Sequence, residues 1–334
     1  MATEVTVPEL QVLLNLMKGQ VAIKYPLYDF DIATLRESPA GFVLSGMCTR
    51  DDFEEESGRF GELAYDMPSY NDVLQSVLSA GILSYRNADD FELLKTAYRK
   101  MNREVMFSLD TNMLYDGFCS AAQINPYLFV LVDLVRQEIE SALNTKYSPQ
   151  AISLLKRSAM YEGGLLDELV NQKMKRSRLA AYGALAEFQK IRDQARIVPG
   201  VGPGSTDKER NDLLIVQSVK AAEKDVYSLL VHLTADINVA DLCMAEGVSY
   251  FLFEKPHAID ARDCTPAQAV DLVFRLAVAF GVVKVGPAFI YGEYRGKGSK
   301  RESLKVVIRN PEMEGEFVRE LELCRKLSGL GIER

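Results

Sequence analysis

Short apolar runs separated by helical patterns dominate the middle of the chain. "VMFSL" at 105–109, "VYSLLVHL" at 226–233 and "VSYFLF" at 248–253 lack the strict apolar–polar alternation of a half-exposed strand. Strands of that kind are buried on both faces, as in a parallel sheet covered by helices. Between them, "DLLIVQSVKAAEKD" and "NVADLCMAEG" read as helices, and "YLFVLVDLVRQEIESALN" turns helical in its second half. The pattern predicts an α/β domain over 103–260, with right-handed crossovers and helices on both faces.

Two mixed α+β regions flank it, 1–102 and 261–334. The first opens with a helical pattern, "PELQVLLNLMKG", followed by the strand-like "QVAIKYPLYDFDI" and "GFVLSG". "DDFEEESGRFGE" reads as a solvated loop, and "SYNDVLQSVLSAG" and "NADDFELLKTAYRKMNR" as helices entered through Ser69 and Asn87. In the last region "TPAQAVDLVFRLAVAFG" is a helix, residues 282–310 form a hairpin with a basic tip, and a final helix follows Pro311. A helical insertion of about 147–208 interrupts the α/β rhythm and is broken at Gly163-Gly164. Its tail, "VPGVGPGST", reads as a mobile linker, because the Lys of a phosphate-binding loop is missing.

Composition narrows the chemistry. The 334 residues are 48% hydrophobic and 26% charged, enough for two or three packed domains. A net charge of −8 means that a nucleic-acid partner requires local basic patches. The five cysteines, Cys48, Cys119, Cys243, Cys264 and Cys324, are scattered without CxxC spacing, so neither a disulfide framework nor a zinc site is expected. His232 and His257 are the only histidines, which excludes a histidine-rich metal site, and His232 reads as a core residue. No signal peptide and no membrane span are expected, and the setting predicted is the cytoplasm.

An acid closes the first apolar strand. In "FSLDTNMLYDGF" Asp110 follows Leu109 and precedes Thr111 and Asn112. Asp236 likewise follows a strand in "VHLTADINVA", while Glu138 lies in "LVRQEIES" and Asp212 in "KERNDLLIV". Functional groups of open parallel sheets collect beyond the carboxyl ends of the strands. Four carboxylates in one cleft require a compensating charge, and hard oxygen donors suit Mg²⁺ or Mn²⁺. A pair of such ions would activate water and stabilise the leaving oxygen in phosphodiester hydrolysis. Three of the four also have a plainer reading: helix cap for Asp110 and Asp212, solvated helix face for Glu138.

In order, "SLDTNMLY", "VRQEIES", "ERNDLLIVQSV" and "VHLTADINVADLCMAEGVSYFLF" resemble the four motifs of PIN-domain nucleases. The resemblance covers about 104–255. It implies a PIN-like sheet with Asp110, Glu138, Asp212 and Asp236 as the metal-binding acids, and Thr111, Asn112 and Thr234 as supporting hydrogen-bonding residues. It also implies a metal-dependent nuclease, with RNA favoured over DNA as substrate. The interval from Glu138 to Asp212 is longer than in compact members, and in the flap-endonuclease branch a helical insertion guides the strand. Two basic stretches suit a phosphate backbone: Lys173, Lys175, Arg176 and Arg178 in the insertion, and Arg295, Lys297, Lys300 and Arg301 at the hairpin tip. Each alone also fits a solvated face. The rival readings are a catalytically weak PIN-like scaffold that binds nucleic acid or protein, and a phosphatase of small esters. Asn112, where a dehalogenase-type phosphatase carries a second acid, opposes a phosphatase of that type alone. A second copy of the chain or a protein partner stays open.

Overall fold

The computed structural model describes residues 2–122, 124–142, 149–159, 161–169, 178–205, 207–256, 259–294, 296 and 302–331. The first four strands are Ala2–Val5 (β1), Gln20–Tyr25 (β2), Phe30–Ser38 (β3) and Gly41–Ser45 (β4). The next five are Val105–Leu109 (β5), Phe129–Val132 (β6), Arg196–Val198 (β7), Leu229–Thr234 (β8) and Ser249–Leu252 (β9). Arg262–Cys264 (β10), Val282–Val285 (β11), Ala288–Tyr291 (β12) and Leu304–Ile308 (β13) complete the strands among the described residues. They form two sheets, and the chain divides into two compact units, each assembled from separate stretches of sequence.

The first unit comprises Met1–Ile82, Thr145–Leu179 and Ala258–Arg334. Its sheet is antiparallel throughout, in the order β1-β13-β12-β11-β2-β3-β4-β10. The two flanking regions that read as separate in the sequence therefore share one sheet. Helices Leu10–Leu16 (α1), Arg50–Gly58 (α2) and Tyr70–Ser79 (α3) belong here. The acidic stretch expected to be a loop is instead α2. Thr49 and Asp52 close a capping box at its start, and Phe53 is buried against Tyr28, Phe30 and Phe280. One aromatic anchor and a reciprocal cap outweigh the run of acids.

The second unit comprises Leu83–Asn144 and Ala180–His257 and has an α/β fold. All of its strands are parallel, in the order β7-β6-β5-β8-β9. From β5 the chain adds β6 and β7 on one side, then β8 and β9 on the other. The winding reverses at β5, and ligands of such sheets bind beyond the strand ends at that point. Helices Ala88–Tyr98 (α4), Thr111–Tyr115 (α5), Phe118–Ala121 (α6) and Asp133–Ala142 (α7) precede the insertion. Phe91 of α4 packs with Phe107, Phe118, Phe251 and Phe253 over one sheet face.

The expected insertion divides between the units. Pro149–Ser158 (α8) and Leu166–Leu169 (α9) count with the antiparallel unit, where Glu168 pairs with Lys305 and Glu162 with Arg309. Gly163-Gly164 opens a short 3-10 turn between them, as the sequence breaks there. Arg178–Arg192 (α10) packs into the core of the parallel unit through Ala184, Phe188 and Ile191, followed by Lys208–Val226 (α11) and Ile237–Glu246 (α12). Pro266–Phe280 (α13) and Pro311–Gly329 (α14) return to the first unit. No helix among the described residues is long and apolar enough to cross a membrane.

Candidate acidic site of the parallel unit

Asp110 leaves the carboxyl end of β5, and Asp236 lies two residues beyond Thr234, the last member of β8. The two strands are paired along their length, so the strand ends and the acids beyond them lie side by side. Asp110 occupies the position before α5 yet makes no capping bond. Its carboxylate instead accepts from Thr234 Oγ1 at 2.9 Å and Asn112 Nδ2 at 3.3 Å, both on Oδ2. The plain cap reading of Asp110 is thereby set aside. The cap of α11 is Asp207, which accepts from the backbone of Glu209 and Arg210, so Asp212 is not a cap either.

Glu138 rises from α7 and is also held through one oxygen. Oε2 accepts from Thr111 Oγ1 at 2.8 Å and from Asn211 Nδ2 at 3.0 Å. Asn211 is buried, and its own Oδ1 accepts from the Ser205 backbone N–H. That second bond fixes the amide so that its NH₂ group faces Glu138. The loop carrying Ser205 is not a free linker. Gly200 N–H donates to Asp133, Val201 N–H donates to Ser218, and Gly200 lies where a Cβ would meet Leu134 Cγ at 2.6 Å.

The pattern of occupied oxygens is informative. Asp110 Oδ1, Glu138 Oε1 and both oxygens of Asp212 accept no hydrogen bond among the described residues. Asp236 differs: Oδ1 caps α12 through Asn238 N–H at 3.0 Å, and Oδ2 meets Lys208 Nζ at 3.4 Å. Asp110 is 3% exposed and Asp212 8%. Burial makes the charged form of a carboxylate costly, and its neutral form is favoured.

The electrostatics follow from that burial. Desolvation, opposed by the Thr234 and Asn112 hydrogen bonds and reinforced by Glu138 and Asp236, pushes Asp110 up to about 6. Desolvation and the repulsion of Asp110, with Lys208 as the opposing cation, push Asp212 up to about 7. Burial works against the Lys208 ammonium, but Asp236, Asp212 and Asp110 outweigh it and hold its pKa above the ordinary lysine value. The four acids thus act on one another, with one lysine among them.

Among the described residues no three His, Cys, Asp or Glu side chains are gathered closely enough to hold a metal ion as they stand. The chemistry of the donor set nevertheless suits a hard divalent cation: carboxylate oxygens only, several of them open, two of them on buried acids. Two residues of the site escaped sequence reading. Asn211 and Lys208 lie in the polar run "KERND", which reads as a solvated helix start; their only signal was proximity to Asp212. Of the basic residues, Lys173, Lys175, Arg176, Arg295, Lys297, Lys300 and Arg301 lie outside the described residues, and Arg178 is the first residue of α10. No family model matches the chain, and no curated protein sequence matches it.

Proposed function

We propose that the parallel unit is a PIN-like, metal-dependent nuclease that hydrolyses phosphodiester bonds, with RNA as its substrate class. The observation that carries this reading is the set of open carboxylate oxygens on Asp110, Glu138 and Asp212, arrayed with Asp236 at the point where the strand order reverses. The open oxygens add no hydrogen bond to the fold, and the burial of Asp110 and Asp212 costs stability when they are charged. Asp110, Glu138, Asp212 and Asp236 would hold Mg²⁺ or Mn²⁺. When bound, the ion supplies Lewis-acid stabilisation of the developing charge and a more acidic water.

The remaining work falls to the chain. Thr234 and Asn112 hold Asp110 by one oxygen and leave the other open. Thr111 and Asn211 do the same for Glu138. Asp236 is fixed by its cap on α12 and by Thr234 Oγ1, which accepts from the Asp236 N–H at 3.0 Å. These second contacts leave the acids preorganised, so that little reorganisation is needed when charge develops. The basic stretches would supply the phosphate contacts that an acidic chain otherwise lacks.

The test is cleavage of a labelled panel of RNAs and of single-stranded, duplex and flapped DNAs with Mn²⁺ or Mg²⁺. EDTA and the Asp110→Asn/Asp236→Asn double variant serve as controls. Cutting of RNA that requires both the ion and the acids supports the proposal. Binding without cutting across the whole panel would replace it with the scaffold reading, and turnover of small phosphate esters alone with the phosphatase.

A further inference from the structure

Lys208 stands out from the other charges around the acids. Where Asp110, Glu138 and Asp212 each keep an oxygen open, the corresponding oxygen of Asp236, Oδ2, is occupied by the Lys208 ammonium at 3.4 Å. The lysine is the first residue of α11, directly after the cap Asp207, and it lies one helical turn before Asp212. Residues four apart on a helix share a face, so the same backbone that presents Asp212 to the cluster presents Lys208 beside it. Its side chain is 63% exposed and the contact is long, the features of a weak and displaceable ion pair.

We infer that Lys208 is a built-in counter-ion of the acidic site, occupying Asp236 until a divalent cation displaces it. This rests on the metal-site reading above. In the absence of the ion, the ammonium offsets repulsion that would otherwise fall on Asp212 and Asp236. A divalent cation entering the cluster must then overcome both the ion pair and the repulsion of a nearby positive charge. The lysine thereby sets a threshold: it sustains the empty site and lowers its affinity for the ion. The exchange is a competition of charges and involves no covalent step.

The two sides of the site differ in how they are held. Asp110 and Glu138 are each steadied by two neutral donors, which carry no net charge and need not leave when a cation arrives. Of the four acids, Asp236 alone is steadied by a charged group. Asp212 is more than nine-tenths buried and has no donor among the described residues, and Lys208 is the cation opposed to it.

Mn²⁺ binding to the full-length chain, followed by titration calorimetry and by loss of the free-ion electron spin resonance signal, tests this directly. Lys208→Gln is expected to bind Mn²⁺ about threefold or more tightly than wild type, the order expected from removing one exposed charge. Lys208→Arg keeps the charge and is expected to stay within about twofold of wild type, or about 0.4 kcal/mol. In EDTA at pH 8, Lys208→Gln should melt below wild type, and saturating Mn²⁺ should remove the difference. An unchanged or weakened Mn²⁺ affinity in Lys208→Gln, with wild type binding normally, would overturn the inference while leaving the metal site intact. If neither wild type nor Lys208→Gln binds Mn²⁺, the metal-site reading itself fails.

Discussion

At the scale of single residues, the acids of the parallel unit should make the folded chain less stable at neutral pH than its packing alone would allow. Asp110 is raised to about 6 and Asp212 to about 7, so the folded state holds protons that the unfolded state has released. Their contribution is fully present below the unfolded carboxylate value and is lost as pH rises through about 6 and 7. In EDTA at pH 8, Asp110→Asn and Asp212→Asn should therefore each stabilise the protein, by roughly 1–3 kcal/mol. The gain should vanish near pH 3.5. Urea melts at the two pH values decide the matter, and destabilisation by both substitutions at pH 8 would show that the charged forms are structural. His232 works with the opposite sign. Burial lowers it to about 4, and it sits below Asp110 on the same sheet face, with Nδ1 2.8 Å from Ser108 Oγ and Nε2 without a partner among the described residues. Its neutral form supports the fold above about 6.5, and that support is lost as pH falls through about 4. Ser108→Ala/His232→Leu removes both partners and should be near neutral at pH 7, while the loss on acidification shrinks by up to roughly 3 kcal/mol. Melts of the double variant at pH 5 and pH 7 would show this as a flatter acid limb.

At the scale of elements, the loop after β7 is the piece on which the site leans. Gly200 fits against Leu134, and an added Cβ would stand 2.6 Å from Leu134 Cγ, whereas at Gly202 the nearest neighbour is Leu214 Cδ2 at 3.5 Å. Gly200→Ala should cost roughly 1–3 kcal/mol through overpacking, and Gly202→Ala little. Because Ser205 N–H orients Asn211 and Asn211 orients Glu138, Gly200→Ala should also weaken Mn²⁺ binding, and Gly202→Ala should leave it unchanged. Equal effects of the two substitutions on binding would detach the loop from the site. This relay marks the boundary of what sequence patterns disclose. The parallel strands were legible because buried strands are short, apolar and set off by turn residues, and the strand-end acids because they interrupt such runs. Asn211 was not legible, because its role arises from Ser205 on one side and Glu138 on the other, and neither contact leaves a periodic signature. Helix α2 was hidden for a different reason: its acids dominate the composition, and only Phe53 and the Thr49–Asp52 cap reveal that it folds. The regrouping of Thr145–Leu179 with the antiparallel unit depends on pairs such as Glu168–Lys305, which join distant parts of the chain.

At the scale of the whole molecule, charge distribution decides how an acidic chain would meet a polyanion. A net charge of −8 opposes association, so binding of RNA, if the proposed function holds, requires local clusters strong enough to reverse the field. The two stretches rich in Lys and Arg, 173–178 and 295–301, each carry four cations. If all four of one stretch neutralise phosphates of single-stranded RNA, replacing them with Gln should flatten the slope of log K against log salt by about 3, since each contact contributes about 0.7. The same change at solvated positions would lower affinity through the general field alone and leave the slope nearly intact. Measuring RNA affinity between about 50 and 300 mM KCl for wild type and for the two four-fold variants, with Ca²⁺ in place of Mg²⁺ to hold cleavage down, separates the outcomes. A flattened slope in one variant assigns that stretch to the phosphate backbone. Unchanged slopes in both would mean that the strand is held by other surfaces, and that neither stretch leads it to the acidic site.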